Sequence, residues 1–343
     1  MTTLVTGATG FVGSHVARQL LSSGENVRVL VRPTSNLKLL EELRVERVEG
    51  DLRDGASIER AMQGVRRVFH VAADYRLWTA HPEELYESNV EGTRRLLAAA
   101  QRAGVERVVY TSTVATIAVP RHDSALPNES IESSVDEMIG HYKKSKFLAE
   151  QVAVDAAKGG LAVVIVNPTA PVGPGDWKPT PTGKIILDFL RGKMPAYVDT
   201  GLNVAGVEDV AAGHLLAAEK GRIGERYILG GRNMTLKDIL DALAAITGKR
   251  APRVKLPHMV ALMAGYVDEM YSRVAGREPT IPVEGVKMSR HKMFVESDKA
   301  ARELGYKPGK IEAALERAVR WYEDNGYVAG RAGGKRVAHP AAA

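Results

Sequence analysis

Three observations predict an α/β fold, a Rossmann-type doubly wound parallel sheet with a smaller, interleaved α+β domain. Short apolar runs rich in Val and Ile alternate with longer helical patterns through the first half of the chain. Those runs are nearly continuous rather than alternating, as strands covered on both faces are. A glycine-rich turn, "TGATGFVGSH", joins the first run to the first helical pattern.

In order along the chain, strands are predicted at 2–6, 27–31, 44–50, 67–72, 107–112 and 162–166. Helices are predicted between them at 11–21, 84–102 and 142–157, closed by Gly24, Gly104 and the pair Gly159–Gly160. After Asn167 the rhythm changes. "NPTAPVGPGDWKPTPTGK" holds five prolines and reads as a loop too rigid for regular structure. Beyond it come a helix near 184–191, another after "VEDVAAGH", a strand "RYILGG", and helices at 236–247, 257–273 and 311–325. Residues 1–175, with 203–230 returning to them, are assigned to the parallel-sheet domain, and 176–202 with 231–328 to the smaller one. The Gly/Ala-rich tail 329–343 is expected to be disordered.

Composition narrows the function classes. A chain of 343 residues, 45% hydrophobic and 26% charged, has the make-up of a soluble globular protein. Its longest apolar stretches, such as "LAVVIVNP" from Leu161, fall short of a transmembrane span, and the N-terminus enters a strand pattern without a signal-like segment. Cysteine is absent, so disulfide and thiolate chemistry are excluded and a cytoplasmic location is expected, peripheral to a membrane if the substrate is a lipid. The net charge of +6 is scattered, without zinc-ligand spacing or an RNA-binding signature. An anionic cofactor or substrate accounts for it, and neither a nucleic-acid partner nor a bound metal is expected.

In the glycine-rich turn, Gly7, Gly10 and Gly13 have the spacing GxxGxxG between a strand and a helix. Gly7 suits a tight turn, Gly10 lets the backbone approach a pyrophosphate, and Gly13 allows close helix–strand packing. The helix start offers free N–H groups and a positive dipole end, so the turn predicts dinucleotide binding. The second strand ends "VLVRPTS", with Arg32 where an acidic residue would hold the ribose hydroxyls of NAD. A guanidinium there can pair with a 2′-phosphate, so NADP(H) is preferred over NAD(H). Asp51, in "EGDL", is placed to reach the adenine edge; a strand-end turn residue is the alternative.

"HYKKSK" places Tyr142 and Lys146 four residues apart, on one face of a helix, with Lys143 and Lys144 directed elsewhere, toward solvent. A free tyrosine titrates near pH 10, roughly three units too high for an efficient base at neutral pH. The Lys146 ammonium and an oxidised nicotinamide ring would both favour the phenolate and lower that value.

These motifs resemble, in their order, the extended short-chain dehydrogenase/reductase family. GxxGxxG at 7–13, "GDL" at 50–52, "HVAA" at 70–73, "NVEGT" at 89–93, "YTST" at 110–113 and YxxxK at 142–146 carry the likeness, continued by "NPTAPVGPG", "VEDVA" and "ESDKAARELGYKP". "VFHVAADYRLW" and "ERVVYTSTVAT" are similar to the branch of dihydroflavonol reductases and 3β-hydroxysteroid dehydrogenases, and the chain also resembles bacterial hopanoid-associated sugar epimerases. The resemblance implies that Tyr142, Lys146 and the Thr113 hydroxyl are catalytic, with Ser112 as the second hydroxyl candidate. It implies that the cofactor lies against Gly7, Thr9, Gly10, Phe11, Val12, Gly13, Arg32, Asp51, Leu52, Ala72, Ala73, Asn89, Tyr142, Lys146 and Pro168. Asn89, at the start of "NVEGTRRLLAAA", is read both as a helix N-cap and as a support of the active site. A homodimer packed through the helices at 84–102 and 142–157 is also implied.

The implied reaction is hydride transfer between nicotinamide and a carbinol or ketone, in an epimerase or reductase of a sugar-like group, with a hopanoid lipid as one carrier the resemblance suggests. A dihydroflavonol- or steroid-type ketoreductase is the alternative, and a non-catalytic dinucleotide sensor a third reading that the intact Tyr–Lys pair disfavours. Nucleotide-sugar epimerases commonly carry an Arg-Asp-Phe run before their "HVDDVA" motif, whereas this chain has Leu202, Asn203 and Val204. Lys178, Arg232, Arg290 or Lys292 could still meet a phosphate. Tyr75, Trp78 and Trp177 are candidates to line a pocket for a sugar-like or polycyclic small molecule, with core packing as the alternative. "LPHMVALMAGYVDEMYSRV" at 256–274 is apolar at helical spacing and is read as core or dimer interface before lipid-facing surface.

Overall fold

The computed structural model describes residues 2–76, 78–117, 126–277 and 279–328, so the expected disordered tail lies outside the described residues. Strands β1 (Thr2–Thr6), β2 (Asn26–Val31), β3 (Glu46–Glu49), β4 (Val65–His70), β5 (Arg107–Thr111) and β6 (Val163–Pro168) fall where the apolar runs stand. β7 (Ala170–Val172), β8 (Ala196–Val198) and β9 (Gly201–Gly206) follow, and β10 (Arg226–Leu229) returns to the first sheet. The main sheet has the order β3-β2-β1-β4-β5-β6-β10, with every pairing parallel. The chain reverses its winding between β1 and β4, which opens a crevice at the carboxyl ends of those two strands.

Helices α1 (Phe11–Ser22), α2 (Gly55–Met62), α3 (Glu83–Tyr86), α4 (Gly92–Arg102), α5 (Gly140–Lys158), α6 (Pro181–Leu190) and α7 (Val207–Lys220) alternate with the strands. Val5, Val109 and Val164 pack toward α1 and α7, while their neighbours Leu4, Val108 and Val163 pack toward α2, α4 and α5. Adjacent residues of one strand thus feed two separate cores, which is why the strands read as unbroken apolar runs. Each such fully buried valine or leucine contributes about 1.5–3 kcal/mol.

The smaller domain contains β11 (Arg232–Thr235), β12 (Val254–Leu256) and β13 (Lys292–Met293), with α8 (Leu236–Thr247), α9 (His258–Ala275), α10 (Val283–Met288) and α11 (Ile311–Asp324). β9 pairs antiparallel with β11 on one edge and parallel with β7 and β13 on the other, while β8 pairs with β12. α6, α8 and α11 close a third core around Leu187, Leu240 and Leu315. Among the described residues, no helix is long and apolar enough to cross a membrane.

Several elements differ from the sequence expectation. The stretch at 84–102 is one helical run broken by a π-type turn over Glu87–Glu91, so Asn89 lies inside the run and is not its N-cap. α2 has no counterpart among the predicted elements. It is eight residues long and opens on glycine, leaving little periodicity to detect; its cap is Asp54, whose carboxylate accepts from Ala56 N. The proline-rich loop is partly regular, because β6 continues through Pro168 and β7 follows it. α6 starts at Pro181, earlier than expected: Thr180 caps it by accepting from Gly183 N at 3.1 Å, and proline suits a first-turn position whose N–H is unused.

Candidate active site

The first half of the site is the turn from β1 into α1. Gly7 adopts φ +73°, and a Cβ there would lie 2.6 Å from Ala72 N, at the end of β4. A side chain on Gly13 would overlap the Gly7 carbonyl. The crevice between β1 and β4 is therefore a cradle that only an unsubstituted backbone can form. α1 begins at Gly10 without a side-chain cap and without an acidic residue in its first turn. Its first N–H groups and dipole remain available to an anion, which fits a pyrophosphate. Thr9, Phe11 and Val12 belong to this turn, and Ala72 and Ala73 form its opposite wall, with Ala72 N donating to Thr6 Oγ1 at 3.3 Å.

Arg32 stands exposed just beyond the end of β2 and, among the described residues, its side chain makes no ion pair or hydrogen bond. Asp51 is already engaged: Arg53 donates to its carboxylate from Nε at 3.0 Å and from Nη2 at 2.8 Å. The Arg53 hydrogen bond holds that carboxyl below the usual carboxylate range. Leu52 is buried beneath it, against Gly92.

The second half gathers at the end of β5. Tyr142 is half-buried in the first turn of α5, with Thr113 close enough to its phenol to counter part of the effect of burial. Thr113 Oγ1 also accepts from Ala115 N at 3.2 Å, which sets its rotamer. Lys146 is buried one turn farther along the helix. Its ammonium donates to Tyr110 Oη at 3.0 Å and to the Thr111 carbonyl at 2.9 Å.

The expected depression of the tyrosine by the lysine is not what this arrangement produces. Burial pushes the Tyr142 phenol up to about 12, and the neighbouring Thr113 side chain offsets this only in part. Burial also pulls Lys146 down to about 8. The ammonium spends its hydrogen bonds on β5 rather than on the phenol, and desolvation penalises the charged form of both groups.

Ser112 does not face the same space. Its hydroxyl donates to the buried carboxylate of Glu150, which also accepts from Thr116 Oγ1 at 2.9 Å, Asn167 Nδ2 at 2.9 Å and Arg226 at 3.3 Å. Asn167 Nδ2 reaches the Thr113 carbonyl at 3.1 Å, so this cluster fixes the backbone beneath the Thr113 hydroxyl. Glu150 was not singled out from the sequence, although a signal existed: Tyr142, Lys146 and Glu150 stand four residues apart on one helix face.

Asn89 ties the wall of the cradle to α5. Its Oδ1 accepts from Asp74 N at 2.7 Å, and its Nδ2 donates to Asp74 O at 2.9 Å and to Ser145 Oγ at 3.0 Å. Two buried histidines, also absent from the sequence reading, brace the strands. His70 bridges Thr6 and Thr93, and His214 joins Thr111 to the Val210 carbonyl. Burial lowers them to about 3 and about 4, so both are neutral struts at physiological pH.

The substrate-side candidates divide. Tyr75 is partly exposed, donates to the Lys178 carbonyl at 3.3 Å, and lies close enough to Tyr142 for their charges to interact. Trp78 is half-buried. Trp177 packs edge-on against Trp321 and Tyr327 in the third core, with the Lys38 ammonium 3.8 Å from its ring centroid. Pro168 is buried at the end of β6, opposite Leu229 of β10. Lys143 and Lys144 are half-buried rather than solvated, and Lys143 faces the carboxyl of Glu284.

A helix start with no side-chain cap and a Tyr–Lys pair thus stand at the carboxyl ends of one parallel sheet, the arrangement of a nicotinamide-dinucleotide oxidoreductase. The chain belongs to the NAD dependent epimerase/dehydratase family, whose model matches residues 3–230, and so to the extended short-chain dehydrogenase/reductases. It is similar to a Synechocystis protein provisionally named dihydroflavonol 4-reductase, with 50% identity over 94% of this chain and 95% of that protein. Sterol demethylase protein B of Methylococcus capsulatus is 38% identical over 96% of this chain and all of that one, 100%. Among solved structures, a nucleoside-diphosphate-sugar epimerase from Pseudomonas aeruginosa superposes with TM-score 0.80 at 29% identity, covering 96% of this chain and 99% of that one.

The depressed Lys146 makes a stability prediction. The unfolded chain holds this proton up to about pH 10.5 and the folded protein only to about 8, so folding grows more favourable as pH rises between them. Urea unfolding should therefore show wild type gaining stability relative to Lys146→Met from pH 8 to 10, a gain absent below pH 7.

Proposed function

We propose that the protein is an NADP(H)-dependent oxidoreductase that reduces a ketone on a ring-bearing substrate, sugar-like or polycyclic. The observation that carries this reading is the placement of Tyr142 near Thr113 at the end of β5, in a sheet that also carries the glycine cradle at the end of β1. A neutral phenol can give its proton to a carbonyl oxygen, the step that a reduction requires. When bound, nicotinamide supplies or takes up hydride and, in its oxidised form, adds positive charge near the phenol. Tyr142 gives its proton to the carbonyl oxygen as negative charge develops there, and the Thr113 hydroxyl orients that oxygen. Lys146 keeps the phenol's surroundings positive and is placed to meet the ribose hydroxyls of the cofactor. Gly7, Gly10 and Gly13 receive the pyrophosphate, and Arg32, free at the end of β2, receives the 2′-phosphate.

A ketoreductase reading is supported by the relatives' names and by β9. Asn203 is buried there, accepting from Gly231 N at 2.7 Å and donating to Asn233 at 2.8 Å, so this strand presents no cation to a diphosphate. Arg232 is taken by Glu312 at 2.6 Å. The likeness to the Pseudomonas sugar epimerase supports a second reading, oxidation and re-reduction of a sugar carbinol on the same residues. Pairing of two copies through α4 and α5 belongs to this proposal, supported by the exposed Leu148 on α5.

Three outcomes test it. Tyr142→Phe should lower kcat by about 10²–10⁴-fold while leaving cofactor affinity nearly unchanged by thermal shift; full activity in that variant would refute the acid role. NADPH should stabilise wild type more than NADH at equal concentration, and Arg32→Ala should erase that difference. Across a panel of flavonoid, steroid and sugar ketones, a reductase consumes NADPH stoichiometrically; stereochemical inversion without net consumption would establish the epimerase reading instead.

A further inference from the structure

α9 turns its apolar side chains away from the protein. Met259, Val260, Met263, Tyr266, Val267, Met270, Tyr271 and Val274 are 49–88% exposed, and the helix buries only Gly265 and Ser272. At helical spacing the exposed residues cover an arc of about 140°, and Gly265 and Ser272 lie opposite it. The helix is thus amphipathic in reverse, with small residues against α10 and large ones outward. A continuous apolar stripe four turns or more in length marks an interaction surface.

Its borders identify the occupant. Tyr266 and Tyr271 form the two edges of the stripe, with Lys287 5.9 Å from the first ring and Arg277 5.2 Å from the second. Arg273 is exposed beside Tyr266 on the helix itself. The two acids of α9 are spent inward: Asp268 pairs with Arg277 and accepts from Ile281 N, and Glu269 accepts from Val283 N. Near the N-terminal end of α9, on the side of His258 rather than of the stripe, a cleft is lined by Lys255, His258, Arg290, His291 and Lys292, with Lys255 and Lys292 paired to Asp199 at 2.7 and 3.7 Å. From 249 to 292 the chain has nine lysines and arginines against four acids, so this segment carries five of the six net positive charges.

We propose that α9 is a membrane-docking helix, lying in the surface of a bilayer that bears anionic headgroups. Apolar side chains would enter the acyl boundary, tyrosines would sit at the headgroup level, and the flanking cations would meet lipid phosphates. A second copy of this chain fits less well, because apposing two such faces would bring like-charged rims together. The helix, about 27 Å long, lies on the bilayer rather than across it. α10, packed behind it, brings the Glu284 carboxyl against Gly140, two residues before Tyr142, so the docked surface adjoins the catalytic helix.

Cosedimentation of the full chain with phosphatidylcholine vesicles, with and without phosphatidylglycerol, tests this without reference to the reaction. Binding should require phosphatidylglycerol and weaken as salt rises. Met263→Asp with Met270→Asp, both on the exposed face, should lower binding about tenfold or more with unchanged circular dichroism. Absence of binding to either vesicle overturns the proposal, as does equal binding to both. Self-association abolished by the double variant, without vesicle binding, assigns the face to a second copy instead.

Discussion

The site rests on one buried carboxylate. Glu150, almost wholly inaccessible, draws donors from four places at once: Ser112 and Thr116 beyond β5, Asn167 on β6 and Arg226 on β10. Burying a carboxylate costs several kcal/mol, and only donors in good geometry offset that cost. The ends of three strands and the helix bearing Tyr142 are therefore not free to move independently. Through Asn167 the constraint reaches the Thr113 carbonyl, one residue from the Ser112 hydroxyl that Glu150 already holds. The position of Thr113 relative to Tyr142 depends on this fixity together with the Ala115 N–H that Thr113 Oγ1 accepts.

Around this anchor the electrostatics favour neutral forms. Tyr142 is held up and Lys146 down by the same desolvation, and both bracing histidines are uncharged. The charges that remain are the Glu150 carboxylate and, below about pH 8, the Lys146 ammonium, and a cofactor's charge would act beside them with little screening. Arg32, on the outer end of β2, is exposed and among the described residues has no side-chain ion pair or hydrogen bond.

The smaller domain closes the crevice with two unlike faces. Inward, Asp176 accepts from Thr180 and Tyr322 beneath a cluster of Trp177, Trp321 and Tyr327, which ties the loop after β7 to α11. Outward, α9 leaves its large side chains unpacked. An apolar helix that served only the core would have buried Met263 and Met270 rather than Gly265 and Ser272.

Much of this was legible in the sequence because it depends on local pattern. The strand runs, the glycine spacing and the four-residue step from Tyr142 to Lys146 are set by backbone geometry, and they carry the sheet, the glycine turn and the helix face that Tyr142 and Lys146 share. Short elements such as α2 and β7 escaped because a few residues carry no period. Glu150, His70 and His214 escaped because their roles are made by partners scattered across the chain. What tertiary structure alone decided is direction: Lys146 toward β5, Ser112 toward Glu150, Lys143 toward Glu284, and the stripe of α9 toward solvent. Periodicity says which residues share a helix face, but only packing determines what that face meets, since burial and hydrogen bonding depend on neighbours far away in sequence.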